Sequence, residues 1–151
     1  MDLQIDHILV PVDFTNKNEE AVRVAQQLAK QNHARVTLLH VIESIDFPED
    51  DEISSFYSRL ESRAANEMDK LLALFSDQDL DVSVETVINS RCQGIVLYAV
   101  DNAVDLIVMN SHPIRDRKDR HGLATISYQV SVLCPCSVML VKSSPEDAKT
   151  T

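Results

Sequence analysis

Short apolar runs alternate with segments of helical period along most of the chain, and this alternation constrains the fold more than any other feature. Five runs have the length and composition of strands, and they lie at 8–12, 36–41, 82–88, 104–109 and 137–142. The connections between them are too long for hairpins, and parallel strands need such long crossovers. The sequence therefore predicts a doubly wound α/β domain of Rossmann-like type, with a five-stranded parallel sheet and helices on both faces.

The segments between the strands carry apolar residues at helical spacing, at 21–29, 53–75, 95–100 and 123–133. Thr15 or Asn16 is the expected cap of the first helix. Pro135 is expected to end the last helix. The residues of that helix expected to face inward are Leu123, Ile126, Val130 and Leu133.

Length, charge and cysteine content narrow the class of protein. A chain of 151 residues suits one domain, expected over 1–142 and followed by a polar tail over 143–151. A net charge of −10 argues against a nucleic-acid partner, and no apolar run is long enough for a membrane span. No secretory signal is recognisable, and three cysteines do not suit a disulfide framework, so we expect a cytoplasmic protein.

Four stretches of the sequence resemble one known family. They are HILVPVDFT at 7–15, VTLLHVIE at 36–43, VDLIVMNSH at 104–112 and CPCSVMLVK at 134–142. In this order and spacing they are similar to universal stress proteins of the single-domain bacterial type, from about Asp6 to Lys142. The resemblance implies the strand order 3-2-1-4-5 and a role in the stress response. It also implies that the loops after strands 1, 2 and 4 meet at a ligand-binding switch point.

In the members of that family that bind ATP, an aspartate ending strand 1 contacts the adenine end, and G-x-x-G-x(9)-G-[ST] wraps the ribose and phosphates. Asp13 matches the aspartate, but Asn110, Pro113 and Ala124 stand where the family has glycines, and ten residues separate the last two instead of nine. Thr125 matches the last position. Because Pro113 has no N–H to donate to a phosphate, we expect a regulatory protein that does not bind ATP tightly.

The alternative is a stress protein that binds ATP or AMP in the switch-point crevice. Its ligand contacts would come from Pro11, Asp13, Val41, Asn110, Ser111, His112, Arg115, Gly122, Ala124 and Thr125. In this interpretation the basic side chains of 115–120 replace the missing main-chain donors. The same loop is also consistent with a solvated surface, or with a lid closed by the acidic segment 49–52.

We identify no catalytic residues and no metal ligands in the sequence. A slow ATPase is the third hypothesis, but it lacks an evident base or metal ligand. Cys134 and Cys136 flank Pro135 without a further cluster of ligand residues, so we interpret them as structural.

The last predicted strand, at 137–142, bears on whether two copies of the chain associate. In the implied strand order it is an edge, where apolar residues invite pairing with another strand. The resemblance implies homodimers formed in this way, and we expect the interface at Val138, Met139, Leu140 and Val141. Contacts with other proteins are the expected route by which such a dimer acts.

Overall fold

The computed structural model describes residues 2–46, 50–75, 79–111 and 125–142. Its elements are β1 (His7–Pro11), α1 (Asn18–Asn32), β2 (Arg35–Glu43), α2 (Asp51–Leu72), β3 (Val82–Asn89), α3 (Arg91–Asp101), β4 (Leu106–Ser111), α4 (Ile126–Leu133) and β5 (Ser137–Lys142). All strand pairs are parallel, and the order is β3-β2-β1-β4-β5. The predicted fold class and the implied strand order are confirmed.

Successive residues of the central strand face opposite sides of the sheet, and each side has its own hydrophobic cluster. Ile8 and Val10 pack with buried residues of α1 and α2, whereas Leu9 packs with buried residues of α3 and α4. This arrangement buries β1 on both faces, as expected for the middle of a doubly wound sheet. The strands β3 and β5 form the two edges.

Small side chains bring α1 close to the sheet, and its buried apolar positions are Ala21, Val22, Ala25 and Ala29. The predicted cap at Thr15 or Asn16 is wrong, because the residue before the helix is Lys17 and its side chain makes no capping hydrogen bond. The hydroxyl of Thr15 instead donates to Asp13 in the preceding turn, at 2.7 Å. The Thr15 side chain, on which the cap prediction depended, is therefore engaged in that turn.

The last helix is shorter than its apolar pattern suggested. Thr125 caps α4, and its side chain accepts a hydrogen bond from the N–H of Tyr128. Val130 is fully buried as predicted, but Leu133 is 63% exposed, so its predicted inward orientation is wrong. The helix ends at Leu133, and the buried position that follows is occupied by Cys134 in an extended conformation.

Some expectations concern residues beyond these ranges. The predicted tail over 143–151, Leu123 of the last helix and the basic residues of 115–120 all lie outside the described residues. Within the described ranges, no helix combines the length and the apolar character needed to cross a membrane.

Candidate functional site

A cavity of about 300 Å³ lies at the carboxyl edge of the sheet, where β1, β2 and β4 end. This is the switch point between β1 and β4, the usual place for ligands in an open parallel sheet. Its volume is at the lower end of the range typical of small-molecule pockets, roughly 300–1,000 Å³. The apolar part of its lining is formed by Val12, Leu39, Val41, Ile95, Met109 and Ile126.

Half of the residues predicted as ligand contacts line this cavity, namely Pro11, Asp13, Val41, Asn110 and Thr125. Ser111 is buried outside the lining, and its hydroxyl accepts a hydrogen bond from the Lys142 ammonium at 2.7 Å. The remaining four, His112, Arg115, Gly122 and Ala124, lie outside the described residues. The strand ends therefore meet as the sequence predicted, and Ser111 serves to join β4 to β5.

The turn after β1 is held by side chains that bond to the main chain. Oδ1 of Asn18 accepts from the N–H groups of Asp13 and Phe14, at 3.0 and 2.8 Å. Phe14 has a φ of 64°, a conformation that costs energy for a residue with a side chain. Its ring lies 4.3 Å from that of His40, whose Nδ1 is 2.8 Å from the carbonyl oxygen of Val12. These contacts fix the direction in which Asp13 leaves the strand.

Hydrogen bonds from Thr15 hold one oxygen of the Asp13 carboxylate. Its Oδ1 accepts from both the N–H and the hydroxyl of Thr15, at 3.0 and 2.7 Å. Partial desolvation acts to raise the pKa of Asp13, but hydrogen bonds from Thr15 and Asn18 and the positive charge of Arg91 outweigh it and hold that pKa below its usual value. The group is therefore ionised at neutral pH and presents an acceptor to the cavity.

Asn110, near the end of β4, also lines the cavity. Both Nδ2 and Oδ1 are buried, and neither has a hydrogen-bond partner in the described part of the chain. Buried polar groups are nearly always paired in native proteins. An unpaired buried amide is an energetic cost to the folded state.

Positive side chains and the starts of helices α1, α3 and α4 border the cavity. Arg91, the first residue of α3, contributes to the lining and lies 3.9 Å from the Glu43 carboxylate, measured from Nε to Oε1. Lys17 and Ser127, at the starts of α1 and α4, also line it. The partial positive charge of helix amino ends and the two cations favour a negatively charged group there.

The wall that α3 contributes depends on close packing at Gly94. A Cβ atom at this position would lie 2.9 and 3.0 Å from the two methyl carbons of Val41. Because real contacts are almost never so short, the absence of a side chain allows α3 to approach β2 at the point where Val41 enters the cavity.

Sequence reasoning missed several of the lining residues, including Thr15, Lys17, Asn18, Arg91 and Ile95. Each belongs to a turn or helix start that follows a strand, and these segments border the same edge of the sheet as the strand ends. Their position just after a strand was the sequence signal that could have identified them as lining residues. The double hydrogen bond of Asn18 had no signal in the sequence, since it depends on the conformation of the turn.

The thiols of Cys134 and Cys136 lie 3.3 Å apart, away from this cavity. Burial is the main reason that the pKa of Cys136 rises to about 12, and its neighbour Cys134 adds to this effect. Over the described ranges, no group of three or more potential ligand side chains is placed to hold a metal ion. The structural interpretation of the pair stays a prediction.

The family model described as the universal stress protein family matches residues 4–142. The comparison with curated proteins gave no match.

Three solved structures illustrate the likeness in fold. The universal stress protein UspA from Lactobacillus plantarum is 21% identical over 93% of this chain and 99% of its own, with a TM-score of 0.73. A universal stress protein solved in complex with cAMP is 19% identical over 93% and 99%, with a TM-score of 0.66. One from Archaeoglobus fulgidus in complex with dAMP is 16% identical over 92% and 99%, with a TM-score of 0.66.

Proposed function

This chain belongs to the universal stress protein family, and from that premise we propose that it is a stress-response protein that binds an adenine mononucleotide in the cavity. The base and sugar are held more firmly than the phosphates, so ATP binds no more tightly than AMP. The observation that carries the proposal is the ionised carboxylate of Asp13 facing a mostly apolar cavity at the switch point. We assign no catalytic role to the site.

The chemistry of Asp13 supports adenine over guanine. Thr15 donates to Oδ1 of the carboxylate, and an ionised carboxylate has further lone pairs that can accept from a ligand. Adenine offers its N6 amino group as a donor, whereas guanine has the acceptor O6 at the equivalent position. An ionised carboxylate attracts the first and repels the second, while Val41 and Ile95 provide apolar surfaces for the ring.

The sequence after β4 supports a weak hold on a phosphate chain. Asn110, Pro113 and Ala124 replace the glycines through which relatives approach phosphates closely, and Pro113 has no N–H to donate. Lys17 and the start of α4 supply attraction for one phosphate near the sugar. The solved relatives bound to cAMP and dAMP, both adenine mononucleotides, fit a ligand of this size.

Calorimetric titration of the purified protein with AMP, ATP and GMP tests the proposal. We expect measurable AMP binding, ATP binding of equal or lower affinity, and GMP binding at least about tenfold weaker, a difference typical of one lost and one repulsive polar contact. The matched variant is Asp13→Asn, which keeps an acceptor for Thr15 but can also donate to guanine O6. It should lose the preference for AMP over GMP. Equal affinities of the wild-type protein for AMP and GMP, or no AMP binding at millimolar concentration, would refute the proposal.

A second part of the proposal concerns assembly, and it is favoured by the exposed edge of β5. Met139 lies in the middle of this strand and is 38% exposed, and Val132 and Leu133 of the adjoining α4 are each 63% exposed. We propose that a second copy pairs with β5 through Val138, Met139, Leu140 and Val141, since an apolar edge strand is suited to such pairing.

Light scattering coupled to size exclusion, over a range of concentrations, tests the dimer. Met139→Lys should shift the wild-type dimer toward monomer, because it places a charge at the paired edge. Val100→Lys is the control, since Val100 is 55% exposed on α3 and away from that edge. A wild-type protein of monomer mass at all concentrations would contradict this assembly.

The proposed compartment is the cytoplasm. The three cysteines are free in the described structure, which suits a reducing environment. Their labelling by a thiol reagent in intact cells, after trapping of the native redox state, would test this placement.

A further inference from the structure

We propose that Cys134 and Cys136 form a reversible redox site, in which hydrogen peroxide joins the two thiols in a disulfide within one chain. The pair lies where α4 ends and β5 begins, away from the cavity. Its chemistry is therefore independent of the proposed nucleotide, and it goes beyond the structural role predicted from the sequence. The observation that carries the inference is the contact of the two sulfur atoms at 3.3 Å.

The chain between the two cysteines directs both thiols to the same side. Cys134 follows the last residue of α4 with a φ of −77° and a ψ of 134°, an extended conformation that residues before proline favour. Side chains two residues apart in an extended segment face the same way. Burial alternates accordingly, since Cys134 is buried, Pro135 is exposed and Cys136 is half-buried. The contact of the sulfur atoms is thus a result of the local conformation.

Both ends of this short segment are fixed by the fold. The N–H of Cys134 donates to the carbonyl oxygen of Val130 in the last turn of α4, at 2.9 Å. On the other side, Ser137 begins β5 and pairs with Leu106 of β4. Because the two thiols are held in contact, the second is at high effective concentration for a reaction that begins at the first. Cys92 provides a comparison, since it makes no hydrogen bond to another thiol in the described chain.

The arrangement suits a disulfide better than a metal ion. Over the residues that the structure describes, no group of three or more His, Cys, Asp or Glu side chains is placed to hold a metal. Structural zinc almost always takes four ligands. Two thiols in contact, by contrast, already supply both sulfur atoms of a disulfide.

Exposure and acidity decide the order of events at the two sulfur atoms. Cys136 is half-buried, whereas Cys134 is only 9% exposed, so a small oxidant reaches Cys136 first. Burial, with a smaller contribution from Cys134, raises the pKa of Cys136 to about 12. Since the thiolate is the nucleophile, little of it reacts at neutral pH, and oxidation should accelerate as the pH rises. The site therefore responds to sustained rather than brief exposure to peroxide.

The reaction consumes one peroxide molecule and leaves a bond between the two sulfur atoms. The Cys136 thiolate attacks one oxygen of hydrogen peroxide, the O–O bond breaks, and a sulfenic acid forms. The departing hydroxide takes up the proton that Cys136 released and becomes water. The Cys134 sulfur then attacks the sulfenic sulfur, the S–O bond breaks, and the hydroxide leaves as a second water with the Cys134 thiol proton. The two cysteines together lose two electrons, which the peroxide gains.

A dithiol reductant reverses this oxidation by thiol–disulfide exchange. One of its thiolates attacks the disulfide and forms a mixed disulfide, and its second thiol then displaces the cysteine. The reductant becomes a disulfide, and two electrons and two protons return to the cysteines.

Mass spectrometry of the purified protein after treatment with hydrogen peroxide tests the proposal. The peroxide is removed with catalase, and the remaining thiols are alkylated in denaturant. We expect a single chain that has lost two hydrogen atoms, in which Cys92 is alkylated but Cys134 and Cys136 are not, and dithiothreitol should restore both thiols. The rate should rise about tenfold per pH unit from pH 7 to pH 9, because the pKa of Cys136 lies well above this range.

Two variants identify the thiols that react. Cys134→Ala keeps a small apolar side chain at the buried position but removes the second thiol. Its Cys136 should stop at the sulfenic acid, which dimedone traps, and no disulfide should form. Cys92→Ser is the control and should form the disulfide at the wild-type rate. Circular dichroism compares the folding of both variants with that of the wild-type protein.

Three results would overturn the inference. The first is the absence of a disulfide at pH 9 in excess peroxide, including a direct conversion of the thiols to sulfinic acids. The second is equal oxidation of all three cysteines, and the third is a disulfide that joins two chains. None of these measurements involves a nucleotide, so each of these outcomes would leave the proposed function intact.

Discussion

Asn18 and Asn110 are two asparagines in the wall of one cavity, and they differ in their hydrogen bonding. Asn18 is 5% exposed and accepts hydrogen bonds from two main-chain N–H groups at 3.0 and 2.8 Å. Asn110 has both amide atoms buried and without partners in the described chain. The first side chain stabilises the fold through its hydrogen bonds, whereas the second leaves a donor and an acceptor unsatisfied.

The comparison teaches how to separate a structural residue from a binding residue when both line the same cavity. A group whose bonds are satisfied within the chain stabilises the folded state, and its removal exposes the partners that it leaves behind. A buried group without partners destabilises the folded state until something binds to it. The two asparagines should therefore respond in opposite directions to the same substitution.

The largest expected effect is that of Asn18→Leu. This substitution keeps the approximate shape of the side chain but removes the acceptor for the N–H groups of Asp13 and Phe14. We expect the free energy of unfolding to fall by about 3 kcal/mol, measured by urea denaturation, because two main-chain donors lose their partner. Asn18→Ser retains an uncharged acceptor and is the control, with a smaller loss. Equal losses for the two variants would contradict this role.

The matching substitution Asn110→Leu should not lower the free energy of unfolding. Replacing an unpaired buried amide by an apolar group of similar shape should leave the free energy of unfolding unchanged or raise it by about 1 kcal/mol. AMP binding by the same variant should weaken, because Asn110 lines the cavity. A fall in stability as large as that of Asn18→Leu would show that Asn110 is satisfied within the free protein, and the comparison would fail.

Gly94→Ala disturbs the cavity wall without changing either asparagine. The added methyl group crowds Val41, at a cost of about 1–3 kcal/mol, while alanine gains about 1 kcal/mol over glycine in a helix. We expect a net loss of about 1 kcal/mol in thermal or urea denaturation. Adding Val41→Ala should relieve the crowding, and a single variant more stable than the wild-type protein would contradict the close packing.

The smallest expected effect concerns His7, a buried polar group with partners on both ring nitrogens, Thr37 at 2.8 Å and the Asn102 carbonyl at 3.0 Å. Mainly through desolvation, its pKa is lowered from 6.5 in the folded protein. The unfolded chain therefore takes up a proton first as the pH falls. Stability should be full above pH 6.5 and decline below it, toward the lowered pKa.

Urea denaturation between pH 7.5 and pH 5.5 measures this decline, with His7→Gln as the variant that should lose it. The pKa of Asp13 is lowered from 3.8, so its contribution to stability is lost only at more acidic pH and does not enter this range. A wild-type protein with constant stability over the range would show that His7 can be protonated without cost in the folded state.

The sequence predicted the parts of the molecule that depend on periodicity. Strands, helices and the meeting of Pro11, Asp13 and Val41 at one edge follow from alternation and from parallel strand direction. Leu133 shows the limit, because a helical period does not reveal that Cys134, just after the helix, takes the buried position in its place. Asn18 and Asn110 show a second limit, since the sequence does not indicate which of the two side-chain amides has hydrogen-bond partners.

The pairing of β1 has a consequence for the folding of the nascent chain. Ile8 pairs with Val36 on one side and with Leu106 on the other. The first neighbour is synthesised soon after β1, but the second emerges only when most of the chain has been made. Until then one edge of the most apolar strand lacks its partner, so contacts of high sequence separation should limit the folding rate and leave the growing chain in need of a chaperone.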